Sequence, residues 1–113
     1  MATVLSPVDA AALTGELADW MAARTVREGL APGEQGWWDD GMSHITDWGF
    51  DVRDIRVPVK IWHGRQDRMV PVQHGEWLAA SVPGAEAEIS ERDGHITMIG
   101  RIGEIHDWLL QRI

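Results

Sequence analysis

The sequence predicts an α/β chain, and three observations predict it. The first half carries apolar residues at three- and four-residue spacing, the signature of helix. From about Gly49 to Pro58 the grammar changes, and β-branched runs then alternate with helical stretches. With 113 residues, 44% of them hydrophobic and 25% charged, the chain has the size and composition of one small globular domain. Two independent cores and extensive disorder are excluded on that ground.

The elements follow in order. Ser6 is placed to cap a first turn, Pro7 takes the favoured first helical position, and Asp9 completes a Ser-x-x-Asp capping box. Val8, Ala12, Leu13, Leu17, Trp20 and Met21 continue the helical spacing to about Gly29, with Thr14-Gly15-Glu16 able to end one short helix and cap another. Gly29, Pro32, Gly33 and Gly36 mark a loop. Asp39 or Asp40 then caps a short helix that runs to Trp48 and is stopped by Gly49. Val57 to His63 reads as a strand with Pro58 at its start and Gly64 at its close. Pro71 starts the next helix, whose inner face carries His74, Trp77, Leu78 and Val82 before Pro83-Gly84 ends it. A second strand covers Ala85 to Ile89 and the loop Ser90 to His95 follows. The final helix shows Met98, Ile102, Ile105 and Leu109 along one face, flanked by Ile99 and Trp108. A strand-helix-strand-helix unit of this kind pairs its strands in parallel through a right-handed crossover. Trp20, Trp37, Trp38, Trp48, Trp62, Trp77 and Trp108 carry nearly all the aromatic area, and core filling is their expected use.

Composition closes several function classes. A net charge of −8 repels phosphate backbones and anionic lipid, so nucleic acid and membrane surfaces are not expected partners. The absence of cysteine removes disulfides, thiolate metal sites and a cysteine nucleophile. No apolar run approaches the ~20 residues that cross a bilayer, and the N-terminus lacks a secretory pattern, so the expected location is cytoplasmic. No phosphate-binding loop or dinucleotide fingerprint occurs, and no cofactor is expected. His63, His74 and His95 with Asp67 follow no metal-ligand spacing, and His44 and His106 fall on helices among polar neighbours.

Two loops are candidates for chemistry, and each follows a strand. In Gly64-Arg65-Gln66-Asp67-Arg68-Met69-Val70-Pro71 a carboxylate stands three residues beyond a turn glycine, at the strand end where open parallel sheets place ligands. In Asp93-Gly94-His95 the glycine permits a sharp bend that aims an imidazole out of the loop. Alone, Asp67 reads as a turn cap or a partner of Arg65 or Arg68, and His95 as a solvated loop residue. Together they are more specific. An Asp after one strand and a His after the next project from the same sheet edge, where the carboxylate orients an imidazole acting as general base.

In these segments, together with Val57-Pro58-Val59-Lys60-Ile61-Trp62-His63 and Pro83-Gly84-Ala85-Glu86, the chain resembles the C-terminal part of an α/β-hydrolase. The resemblance is strong from about Asp51 to the C-terminus. It implies a partial α/β-hydrolase fold: residues 51–113 would hold the last two parallel strands with flanking helices, and residues 1–50 a helical segment from the cap region returning to the sheet. It also implies Asp67 as triad acid and His95 as triad base. The family further needs a Gly-x-Ser-x-Gly nucleophile elbow and an oxyanion hole, and neither is present. Gly41-Met42-Ser43-His44-Ile45 lacks the second glycine and does not follow a buried strand, so Ser43 is not expected to be the nucleophile. The expected function is a hydrolase portion supplying acid and histidine for cleavage of a small ester, amide or related bond, inactive alone. Its expected partners are an N-terminal hydrolase half, or a second copy through an exposed sheet edge, with a small-molecule substrate once completed. The alternative is a non-catalytic binding or interaction module on the same scaffold.

Overall fold

A computed structural model describes residues 4–112, apart from the side chains of Ala22 and Ala23. The chain divides into two compact units, Met1–Ala12 with Val52–Ile113, and Leu13–Asp51.

The first unit contains helix α1 (Pro7–Ala12), a 3-10 turn (Val52–Asp54), strand β1 (Lys60–Gly64), helix α5 (Val72–Ser81), strand β2 (Glu86–Ser90), a second 3-10 turn (Thr97–Arg101) and helix α6 (Ile102–Leu110). β1 and β2 pair in parallel, in register from Lys60 opposite Glu86 to Gly64 opposite Ser90. Bonds from the Glu86 N–H to the Val59 carbonyl (2.9 Å) and from the Arg65 N–H to the Ser90 carbonyl (2.8 Å) prolong the ladder at both ends. β1 starts three residues later than the sequence predicts. Pro58 has no N–H to give to a ladder, and Val57 remains 67% exposed.

Val72, Val82 and Ile96 are the buried apolar residues among those described. α5 lies against β1 through Gly75, where an added Cβ would come within 2.7 Å of His63 Nδ1. That approach sets the rotation of the helix. Val72 and Gly75 face inward, whereas Trp77, about 200° around the helix from Gly75, and His74 point outward, contrary to the predicted inner face. The C-terminal helix also departs from its predicted face. It is entered through the 3-10 turn at Thr97–Arg101, so the stripe read from Met98 onward is not one continuous face of about 3.6 residues per turn, and Ile105 and Trp108 are partly covered while Ile99, Ile102 and Leu109 are exposed. Trp108 meets Trp62 edge-on, ring centroids 5.8 Å apart, and its Nε1 donates to Glu86 across 3.1 Å. Lys60, Glu88, Arg101 and Glu104 form a linked set of ion pairs over the same side of the strands.

The second unit holds α2 (Gly15–Asp19), a π-helical stretch (Trp20–Val26), α3 (Arg27–Leu30) and α4 (Gln35–Ser43). The break between the first helices falls at Thr14-Gly15 as the sequence allows, with Gly15 at φ +60°. α4 corrects the expectation for its cap and its end. It begins at Gln35, and Asp39 sits inside it, accepting from Gln35 Nε2 at 2.8 Å. It ends at Ser43 rather than Trp48, because side chains claim its last carbonyls: Thr46 Oγ1 donates to Met42 (2.7 Å) and Trp48 Nε1 to Ser43 (2.6 Å). No described side chain of this unit is buried. Trp20, Trp37, Trp38 and Trp48 here, and Trp77 in the first unit, are all more than half exposed, so core filling is confined to Trp62 and Trp108. No helix among the described residues is long and apolar enough to cross a membrane.

Candidate active site

The site grows from the ends of the two strands. Beyond β1 the chain turns at Gly64, where an added Cβ would strike the Asp93 carbonyl at 2.3 Å, so only glycine lets the two loops approach. The Gln66 N–H donates to the Asp93 carbonyl at 2.9 Å, and Gln66 Nε2 donates to the Glu91 carbonyl at 3.0 Å. These bonds fasten the loop after β1 to the loop after β2.

Asp67 is held from two sides. Its Oδ1 accepts the N–H groups of Met69 and Val70, each at 2.8 Å, which closes an Asx turn before α5. Its Oδ2 lies 2.8 Å from His95 Nδ1. The structure thus brings together the two residues singled out by sequence. The carboxylate is 6% exposed and the imidazole 40%. Burial pushes the Asp67 carboxyl up, but the Val70 and Met69 N–H groups and His95 outweigh it and hold the group below its ordinary value. An ionised carboxylate only accepts, so His95 Nδ1 carries a proton; in the neutral ring it is then Nε2 that presents the lone pair. Arg65 turns to Glu76 (3.1 Å) and Glu91 (2.8 Å), so it is not the partner of Asp67.

Other residues are placed by the same geometry. His63 Nε2 donates to the Val70 carbonyl at 3.0 Å and stands 3.7 Å from Asp67 Oδ2, too far for a hydrogen bond. His74 is exposed on α5, and among the described residues no group of three or more His, Cys, Asp or Glu is arranged to hold a metal ion. Ser43 is exposed and donates its hydroxyl to the Asp40 carbonyl at 2.7 Å. Trp62, His63, Gly64, Asp67, Val70, His95 and Met98 line a cavity of about 220 Å³. The imidazole therefore opens onto space beside a fixed carboxylate, an arrangement suited to taking a proton from a group brought to Nε2.

Sequence reasoning missed one member of this neighbourhood. Asp9, read as half of a local capping box, does donate its backbone N–H to Ser6 Oγ, at 3.3 Å. Its carboxylate, however, accepts the N–H groups of His95, Ile96 and Thr97 at 2.9, 2.8 and 3.1 Å. Backbone donors leave no mark in a sequence, so no motif announced the contact.

Comparison with known proteins gives a consistent direction. A pimeloyl-[acyl-carrier protein] methyl ester esterase of Aromatoleum aromaticum is 38% identical over 50 residues, covering 44% of this chain and 20% of the relative. A 2-hydroxy-6-oxononadienedioate/2-hydroxy-6-oxononatrienedioate hydrolase of Cupriavidus pinatubonensis is 40% identical over 51 residues, 45% of this chain and 18% of the relative. A 2-hydroxymuconate semialdehyde hydrolase of Pseudomonas putida is 29% identical over 99 residues, 80% of this chain and 34% of the relative. These matches support a hydrolase-fold relationship. The chain spans between about a fifth and a third of the length of these relatives. Among solved structures, an esterase from Exiguobacterium antarcticum aligns with a TM-score of 0.44 and 23% identity over 53% of this chain and 22% of its own. No family model matches the sequence.

Proposed function

We propose that this chain supplies the acid, Asp67, and the general base, His95, of a hydrolytic triad that cleaves a small ester, amide or related bond. The observation that carries the reading is the 2.8 Å contact between Asp67 Oδ2 and His95 Nδ1, made by a carboxylate whose other oxygen is already fixed by two backbone N–H groups. Such a pair presets the tautomer and ring orientation that a base needs. The nucleophile and the oxyanion donors come from polypeptide outside these 113 residues, because no Gly-x-Ser-x-Gly occurs in them. The relatives are named for a methyl ester and for hydroxy-oxo acids, so a simple ester is the appropriate first probe and no single natural substrate is carried over.

Co-expression with the nucleophile-bearing N-terminal segment of one of these relatives tests the reading. The assembled protein should hydrolyse a small aryl ester, and His95→Ala should lower kcat by roughly 10²–10⁴-fold, the usual contribution of general acid-base catalysis. The chain alone should give no turnover beyond free imidazole. Assembly without any His95-dependent turnover would sink the proposal and favour the non-catalytic module.

A further inference from the structure

Asp9 lies 86 positions before His95, yet the two are joined through the backbone. Asp9 Oδ2 accepts the His95 N–H (2.9 Å) and the Ser6 hydroxyl (2.7 Å), and Oδ1 accepts the N–H groups of Ile96 (2.8 Å) and Thr97 (3.1 Å). Its residue is fully buried. Helix capping at α1 requires only the Ser6 side of this set; the remaining three bonds leave the helix and end on the loop that carries the imidazole. Gly94 makes room for them, since a Cβ there would lie 2.2 Å from Asp9 Oδ2. Burial pushes the Asp9 carboxyl up, but the Ser6 hydroxyl and the Thr97, His95 and Ile96 N–H groups outweigh it and keep the group below its ordinary value. It is therefore an acceptor at both oxygens, which four converging donors need. Two carboxylates share one histidine: Asp67 holds the ring and Asp9 holds the backbone on which the ring is mounted.

We propose that Asp9, backed by Ser6, is a positioning residue for His95, fixing the backbone of residues 95–97 so that Nδ1 meets Asp67. The inference rests on the reading of Asp67 and His95 as acid and base. The other ionisable groups nearby, His63 and Asp93, are engaged with the Val70 carbonyl and the Ser90 hydroxyl.

Nitrogen-15 and proton NMR of the full chain tests this, reading the hydrogen-bonded Nδ1–H of His95, its tautomer, and the hydrogen exchange of the 95–97 amides. Asp9→Asn keeps the shape but replaces one acceptor with an NH₂ donor. It should speed exchange of those amides by about tenfold or more, as loss of bonds to a charged acceptor implies, and should abolish the single Nδ1–H tautomer while β1 and β2 signals persist. A folded Asp9→Asn chain with wild-type tautomer and Nδ1–H signal would overturn the proposal, because a purely stabilising contact would leave the ring unmoved. Should Asp9→Asn fail to fold, Ser6→Ala decides: a weakened Nδ1–H signal supports the proposal and an unchanged one overturns it. Asp67→Ala separates the two readings. It should remove the Nδ1–H signal yet leave the 95–97 amides protected; persistence of the signal would sink the acid-base reading and this proposal with it, whereas its loss beside an unaffected Asp9→Asn chain sinks this proposal alone.

Discussion

Asp9 and Asp67 are kept ionised chiefly by N–H and hydroxyl donors rather than by arginine or lysine. For each, burial opposes ionisation and the donors prevail, Ser6 and the 95–97 amides at Asp9, Val70, His95 and Met69 at Asp67. Both groups titrate below the ordinary value of 3.8 in the folded chain. A depressed folded-state value contributes stability that is fully present above the unfolded value and is lost as the pH falls through the folded one. Urea midpoints should therefore carry the full contribution of both groups at neutral pH, with no pH dependence from them there, and drop as the pH falls below 3.8. Asp9→Asn should lower the midpoint at neutral pH and flatten the acid limb; an acid limb as steep as wild type would show that Asp9 is not held ionised. At this scale the juxtaposition of Asp67 and His95 was legible in the sequence, because loops that follow neighbouring parallel strands open on one sheet edge and a turn glycine precedes each. Asp9 was hidden behind a local motif that already accounted for it.

Elements were legible in kind and order, and less so in phase. Parallel pairing of β1 with β2 follows from the intervening helix, and Gly64 and Gly84 mark real turns. The inner face of α5 was misread because Gly75, which has no side chain to count as apolar, faces inward with a close approach to His63 of β1. The face of α6 was misread because the predicted helix ran on through Thr97–Arg101, which is a 3-10 turn outside it, and α4 because its start lies among loop-forming glycines. Burial then separates tryptophans that the sequence treats alike. Trp108 stacks edge-on against Trp62, bonds Glu86 and has the Arg112 guanidinium 3.8 Å over its ring. Trp37 is 63% exposed. Trp108→Ala should cost about 2 kcal/mol or more, from lost area, ring contact and hydrogen bond together, and Trp37→Ala within about 0.5 kcal/mol, as for surface changes. Chemical denaturation of the two variants checks this. Equal losses would mean that Trp37 is covered in solution.

For the whole chain, the strands and the tryptophans make the same demand. β1 and β2 form a two-stranded sheet, so each has one strand edge without a strand partner among the described residues. Three or more strands, or thorough helix cover, are normally needed for a sheet to stand alone. An open edge with apolar surface nearby is a template for pairing. Five tryptophans more than half exposed, with Ile45, Phe50 and Leu110 also exposed, add area on the order of 150–250 Å² per buried ring when covered. The net charge of −8 opposes contact between copies, but it acts over a length of only about 8–10 Å at physiological salt. Short-range apolar burial should therefore win once copies meet. The isolated chain is expected to associate with rising concentration in sedimentation velocity, more so as added salt screens the charge. Co-expression with the N-terminal segment of a related hydrolase is expected to shift it to a defined one-to-one species with a sharper thermal transition; that shift would show that the segment covers the open edge and the exposed rings. A monomer at all concentrations and salt levels, melting alone in one sharp reversible step, would show instead that the three buried aliphatic residues and the Trp62–Trp108 pair close a sufficient core by themselves.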